Sequence, residues 1–319
     1  MYGVLSVTAP IYLLIAAGFV ATRFGLFERA DMRVFGKYTI NLALPALLFN
    51  ALSQRQVGEI LNPIFIAAYL GGSLIVMVTG IVWARRVMGK DLPLSAVMGM
   101  GMACPNSGFI GFPLVAQVFG ASTGGVALAL AMIVENFFLI PIALAIADSA
   151  GGEGTPGSRF VRWRTAVLQS LRTVVRNPMI HGLVLGFVFS LLGWRLPEPV
   201  ARAVTLLAVS CSAVSLFVIG GSLVGQALRG VWRDVSLILV GKLLLHPLAV
   251  LLLVMLLPPM PRELQVAVIM LAAVPQMGIY PIVAQRFGHD GLAASAQLAS
   301  TMVSFFTLTA LLWVLAPPV

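Results

Sequence analysis

One eight-residue stretch occurs twice in this chain: Pro113-Leu114-Val115-Ala116-Gln117-Val118-Phe119-Gly120 returns as Pro281-Ile282-Val283-Ala284-Gln285-Arg286-Phe287-Gly288. Six of the eight positions are identical, and the copies lie 168 residues apart (281 minus 113). The same offset pairs Gly18 with Gly186 and Phe49 with Phe217. The chain is therefore a duplication of a unit of about half its length.

Composition indicates that this duplicated unit lies in a lipid bilayer. Of the 319 residues, 60% are hydrophobic and only 10% are charged, whereas a soluble domain carries about 25% charged residues. Many segments approach the roughly 20 apolar residues that cross a membrane. The net charge of +9 comes from basic residues in short loops, which is typical of topology signals and not of nucleic-acid binding. We predict an all-α polytopic membrane protein.

The apolar pattern predicts ten transmembrane helices. They cover roughly 3–22, 34–53, 62–84, 93–118, 123–147, 177–193, 200–227, 235–257, 263–286 and 291–316. Five spans fall in each half, and because five is odd, the second half enters the membrane from the opposite side. The two five-helix repeats are therefore expected to be inverted, one over residues 1–147 and the other over residues 177–319.

Basic residues set the expected orientation. The loops that hold residues such as Arg85, Arg86 and Lys90 are expected inside, because lysine and arginine accumulate in cytoplasmic loops. Both termini then face the periplasm or exterior of a bacterial inner (cell) membrane. The linker 148–176 is also inside, and Phe160, Trp163 and Val167 recur there at helical spacing among arginines. This spacing predicts an amphipathic cytoplasmic helix on the inner leaflet.

Spans four and nine are each interrupted by two prolines. Pro105 and Pro113 bound the first interruption, and Pro275 and Pro281 bound the second. Since a proline removes a helical hydrogen bond and clashes with the preceding turn, both helices are expected to break at mid-membrane. Such breaks present half-helix N-termini to an anion and free carbonyls to a cation. We expect the breaks to meet there and to bind substrate through Asn106, Ser107, Gly108, Gln276, Met277 and Gly278.

The same segments resemble the auxin efflux carrier family, as a bacterial relative of the plant PIN-type carriers. The resemblance rests on Asn106–Leu114 (NSGFIGFPL), Asn41–Phe49 (NLALPALLF), the opening Pro10-Ile11-Tyr12 and Asn177-Pro178. It implies a scaffold of spans 1, 2, 6 and 7, a transport unit of spans 3–5 and 8–10, an elevator-like movement, an organic-anion substrate and a homodimer. The second amide is often asparagine in the family, whereas this chain has Gln276.

Few other polar residues fall within the spans. Asn41 and Ser215 are expected to line the scaffold side of the pocket. Glu135 and Lys242 are candidates for coupling, because intramembrane charges usually face a cavity or a partner. The alternative for Glu135 is a structural carboxyl bonded to Asn136 or a neighbouring helix. The histidines His181 and His246 are expected to be helix–helix hydrogen bonders, and Cys104 and Cys211 buried small side chains.

These observations favour a secondary transporter or facilitator of a small organic anion, with a proton or sodium as the possible coupling ion. The alternative is a membrane sensor that has the same fold but no turnover. No Ser/His/Asp motif, P-loop or dinucleotide fingerprint appears in the sequence, and no cluster has metal-ligand spacing. We therefore expect neither an enzyme nor a cofactor or metal site.

Overall fold

The computed structural model describes residues 2–149, 176–225 and 232–315, and within these residues the secondary structure is helical. The predicted amphipathic helix of the linker lies outside the described residues. In chain order the α-helices are α1 (Tyr2–Arg23), α2 (Arg29–Tyr38), α3 (Leu44–Ser53), α4 (Val57–Ile60), α5 (Pro63–Arg86), α6 (Leu92–Ala103), α7 (Phe112–Val134), α8 (Ile140–Asp148), α9 (Pro178–Leu192), α10 (Glu198–Leu223), α11 (Trp232–Val240), α12 (His246–Leu256), α13 (Arg262–Ala273), α14 (Tyr280–Gln285) and α15 (Asp290–Leu315).

Six helical segments in the described residues are long and apolar enough to cross a membrane. The helix positions agree with the predicted spans to within about a turn at most ends. One of the six, Ser107–Asp148, is not a single rod, because Gly120 has a φ of +84°. A Cβ on Gly124 would lie 3.2 Å from the Ala116 nitrogen, although eight residues of straight helix span about 12 Å. The chain therefore turns back at Gly120, as the predicted boundary between spans four and five requires.

In the described parts of the chain, four π-helical turns join neighbouring helices: Thr39–Ala43, Ser107–Gly111, Glu135–Leu139 and Gly241–Leu245. Each is followed by a helix with proline in its first turn, namely Pro45, Pro113, Pro141 and Pro247. A proline cannot donate to the carbonyl four residues earlier, and its ring clashes with that carbonyl. In all four cases that carbonyl belongs to the middle residue of the π turn, so the wider turn moves it away from the ring. These turns are often found at functional sites.

Glycines allow four helices to approach closely. A Cβ on Gly18 of α1 would lie 2.0 Å from the Phe217 carbonyl oxygen of α10, and a Cβ on Gly186 of α9 would lie 3.0 Å from Phe49 of α3. Gly18 and Gly186 are one pair of duplicated positions, and Phe49 and Phe217 are another. The same contact is therefore made twice, with the partners exchanged between the halves.

Candidate functional site

The breaks of the two interrupted helices lie against each other. Helix α6 ends at Ala103 and α13 at Ala273, and Cys104 and Val274 then adopt extended backbone, as residues before proline prefer. The Asn106 amide donates to the Pro275 carbonyl at 2.8 Å, and the Met277 amide donates to the Cys104 carbonyl at 3.1 Å. Pro105 and Gln276 thus form an isolated antiparallel bridge. We call these residues, Cys104–Ser107 and Val274–Met277, the crossover.

The first break leads directly into a new helical segment. The Asn106 side-chain oxygen accepts from the Phe109 amide at 3.3 Å and caps the turn Ser107–Gly111. The Phe109 carbonyl, which Pro113 cannot use, accepts from the Ser215 hydroxyl of α10 at 3.1 Å. A helix N-terminus carries partial positive charge and favours an anion. The first break therefore presents a capped N-terminus beside the crossover.

The second break holds a buried amide that is only half paired. The side chain of Gln276 is 1% exposed. Its Oε1 accepts from the hydroxyl of Ser300 on α15, and within the described residues Nε2 has no hydrogen-bond partner. A buried donor without a partner is costly. The free end of this amide can therefore gain a hydrogen bond from a ligand at the crossover.

Glu135 is attached to the first break. Its Oε1 accepts from the Ser107 hydroxyl at 2.5 Å and from the Tyr69 hydroxyl of α5 at 2.7 Å. Glu135 is 8% exposed and begins a π turn. The sequence left two partners open for a structural carboxyl, Asn136 or a neighbouring helix. Glu135 is bonded to other segments, and the Asn136 amide instead donates to the Met132 carbonyl.

Lys242 is attached to the second break. Its fully buried ammonium donates to the Ala272 carbonyl, in the last turn of α13, at 2.6 Å, and to His246 Nδ1 at 2.8 Å. A protonated Lys242 can only donate, and His246 would then accept at Nδ1 and carry its proton on Nε2, which lies 2.8 Å from the Ser73 hydroxyl. The expected role of His246 as a helix–helix hydrogen bonder is confirmed.

Tyr69 and His246 connect these two attachments. The Tyr69 hydroxyl binds Glu135, and its ring stacks on the His246 ring with centroids 6.0 Å apart. The chain of contacts from Ser107 through Glu135, Tyr69 and His246 to Lys242 and Ala272 is buried. We call it the buried charge network. It connects the two breaks through side chains, in addition to the backbone bridge between Pro105 and Gln276.

The remaining predicted site residues are not all gathered at the crossover. Gly278 lies beside the crossover, since a Cβ there would be 3.9 Å from Asn106 Nδ2. Gly278 is exposed, Gly108 is half-buried and Met277 is buried. Ser215 reaches the first break from α10 as a backbone partner. Asn41 lies on an exposed face, where its amide donates to the Lys37 carbonyl of its own helical turn. Cys104 and Cys211 are buried free thiols, as expected.

Four participants were not identified from the sequence: Tyr69, Ser73, His246 as a partner of Lys242, and Ser300. Tyr69 and Ser73 lie four residues apart on one face of α5. Both side chains contact His246. Two hydroxyls on one face of an otherwise apolar span were the available signal. For Ser300 there was none, because α15 carries several similar hydroxyls.

Helices long enough to cross a membrane, together with a polar crossover of two broken helices, define a multi-pass membrane protein. The family model described as "Membrane transport protein" matches residues 4–314. The chain therefore belongs to this family, the auxin efflux carrier family that its motifs resemble, and it is a membrane transporter.

Three relatives illustrate the range of the family. The "Uncharacterized transporter YfdV" of Escherichia coli K12 is 27% identical over 313 residues, 96% of this chain and 95% of that protein. The "Putative malonate transporter" of Rhizobium meliloti is 26% identical over 308 residues, 96% of this chain and 94% of that protein. The "Auxin efflux carrier component 8" of Arabidopsis thaliana is 22% identical over 271 residues, 71% of this chain and 73% of that protein.

Proposed function

We propose that this protein is a secondary transporter or facilitator that moves a small organic anion, a carboxylate, across the bacterial inner membrane. The observation that carries the proposal is the pairing of the two breaks, which sets a capped helix N-terminus beside the half-paired amide of Gln276. Both groups complement a carboxylate. Malonate, which appears in the name of the Rhizobium meliloti relative, belongs to the same chemical class.

The substrate site that we propose combines both breaks. Asn106, Ser107 and Gly108 supply the N-terminal side, and Gln276, Met277 and Gly278 supply the other side. Asn41 and Ser215 are the proposed contributions of the scaffold, although Asn41 would need to face the substrate in another state of the cycle. The four prolines Pro105, Pro113, Pro275 and Pro281 keep the helices broken.

The proposed architecture has ten spans in two inverted repeats, with both termini on the periplasmic side. The exchanged contacts of Gly18 with Phe217 and of Gly186 with Phe49 support a two-fold relation between the halves. Spans 1, 2, 6 and 7 form a scaffold and dimer interface, and the other spans move against it as an elevator. Among the described residues, the side-chain hydrogen bonds that such a movement would exchange include Ser215 with Phe109, Tyr12 with Ser304, and Arg55 with Ser122 and Thr123.

Counterflow of radiolabelled malonate in proteoliposomes tests this function, with acetate and indole-3-acetate as further probes. The wild-type chain is expected to exchange at least one carboxylate, and Asn106→Ala is expected to lower the exchange rate at least tenfold. Asn136→Ala is the matched control, because the Asn136 amide only donates to the Met132 carbonyl of its own helix.

The same experiment addresses the alternative of a sensor without turnover. A sensor would bind a carboxylate, seen as a thermal shift that Asn106→Ala abolishes, but would show no counterflow. If a carboxylate stabilised the wild type and Asn106→Ala equally, the crossover would not be its site.

A further inference from the structure

The buried charge network contains one acid and one base, and its net charge depends on the protonation of both. Glu135 and Lys242 are both buried, and each is bonded to a different break of the crossover. The Lys242 amine is bonded to the Ala272 carbonyl and to His246 Nδ1, and within the described residues it has no direct carboxylate partner. With Glu135 and Lys242 both ionised, the network has a net charge of zero.

A bound monocarboxylate changes this balance. The substrate site proposed above lies at Asn106 and Ser107, and Ser107 is bonded to Glu135. An anion there would add a second negative charge beside one ammonium, and like charges in a poorly solvated site repel strongly. A net charge inside the membrane is also costly to move. Neutrality is restored when Glu135 takes up one proton.

The partners of Glu135 suit both protonation states. Ser107 and Tyr69 are hydroxyls, which can donate or accept, and they lie 3.5 Å from each other. When Glu135 is protonated, the hydroxyls can turn to accept its proton or to pair with each other. The other titratable groups that face Glu135 are Cys104 at the first break and Lys242 with His246 across Tyr69.

Lys242 binds a carbonyl group that could otherwise coordinate a cation. The carbonyls freed at a helix break are the usual ligands for a coupling sodium ion in transporters with broken helices. Here the Ala272 carbonyl in the last turn of α13 already accepts from the ammonium, which is fixed at its other side by His246. The positive charge at the second break is therefore part of the chain.

We infer that the protein is an electroneutral proton symporter, in which Glu135 carries one proton together with each monocarboxylate anion and Lys242 replaces an alkali cation. In the empty carrier the pair is ionised. In the loaded carrier a proton from water on the entry side converts the Glu135 carboxylate to a carboxylic acid, and the anion neutralises Lys242. Release of the anion on the other side returns the proton to water there. This inference depends on the proposed function, and a diacid would be carried as its monoanion.

The test uses the full chain in proteoliposomes with radiolabelled malonate, with sodium replaced by N-methylglucamine. An inward acid gradient of one pH unit, a tenfold ratio of proton activity, is expected to support about tenfold accumulation of the malonate monoanion in the wild type. Removal of sodium should leave this accumulation unchanged, and a membrane potential should neither drive nor oppose it. Proton entry, followed with a trapped pH dye, should equal one proton for each monoanion carried, and therefore two protons for each malonate where dissolved malonate is the dianion.

Glu135→Gln, a neutral mimic of the protonated acid, separates coupling from binding. It is expected to lose the gradient-driven accumulation, while counterflow remains measurable. Glu263→Gln makes the same chemical change at the start of α13, where Glu263 accepts from Thr123, and should accumulate as the wild type does. Accumulation that survives in Glu135→Gln, or that requires sodium, would overturn the inference. A wild type that exchanges none of the probes would instead overturn the proposed function, and the inference with it.

Discussion

The first and second breaks of the crossover both follow an extended residue before a proline, but they differ in what comes next and in chemistry. At the first break Asn106 caps a helical turn that begins at once, and the attached charged group is the acid Glu135. At the second break the next helix, α14, begins only at Tyr280, Gln276 has a spare donor, and the attached charged group is the base Lys242. Duplication thus supplied two broken helices, and the side chains attached to the two breaks then diverged.

The charge on each break gives the largest expected effect. Removal of one member of a directly bonded buried ion pair leaves the other uncompensated, which costs about 3–5 kcal/mol. Glu135 and Lys242 are connected only through Tyr69 and His246, so we expect Lys242→Met to lower the free energy of unfolding by the lower end of that range, about 3 kcal/mol. The measurement is a denaturant titration of the detergent-solubilised protein.

Glu135→Gln in the Lys242→Met background is the control for that prediction. If the two breaks share one charge balance, the double variant should recover part of the stability lost in the single variant. Equal stability of the single and double variants would mean that the two charges act independently.

The exchanged glycine contacts allow the two halves to be compared directly. Gly18→Ala would place a Cβ 2.0 Å from the Phe217 carbonyl oxygen, whereas Gly186→Ala would place one 3.0 Å from Phe49 and Leu52. Overpacking typically costs about 1–3 kcal/mol. We expect Gly18→Ala to lie at the upper end of that range and Gly186→Ala at or below the lower end, in the same titration.

Gly36→Ala is the matched control, because the nearest atom to its Cβ would be a Val218 methyl group at 3.8 Å. It should be neutral or slightly stabilising, since alanine favours a helix interior over glycine by about 0.5–1 kcal/mol. Equal losses at Gly18 and Gly186 would contradict the difference in packing between the halves.

The amides of the two breaks should respond differently. Asn106→Ala removes a cap and is expected to destabilise by about 1 kcal/mol. Gln276→Met removes a buried donor without a partner among the described residues, and the Ser300 hydroxyl that loses Oε1 can still donate to the Gln297 carbonyl, so the change should be nearly neutral. Both changes should reduce malonate counterflow. A stability loss at Gln276 as large as that at Asn106 would indicate that its amide is fully paired.

The positions of the helices and of the breaks could be predicted from the sequence because they depend on local signals. Apolar length determines a span, and paired prolines determine a break, so the interruptions near Pro105 and Pro275 and the turn near Gly120 were expected where they are found. The π turns were missed, although each precedes a proline. A proline predicts a break in a helix, but a helix can also accommodate the proline ring by widening the preceding turn, which keeps the helix continuous.

The partners within the buried charge network could not be predicted in the same way. Glu135 is bonded to a hydroxyl 66 residues away, and Gln276 to one 24 residues away. Such pairs depend on how spans are arranged around each other, which a single sequence does not encode locally. Asn41 illustrates the converse: its place in a family motif did not indicate that its amide would bond within its own turn.

The backbone bridge between Pro105 and Gln276 has a consequence for biosynthesis. The Asn106 amide and the Cys104 carbonyl have their partners at Pro275 and Met277, which leave the ribosome only after most of the chain has been made. Until then these two peptide groups lack those partners, and within a bilayer only other protein groups or a water-filled cavity can take their place. The first half of the chain can therefore complete its backbone hydrogen bonds only after α13 and the second break have been made.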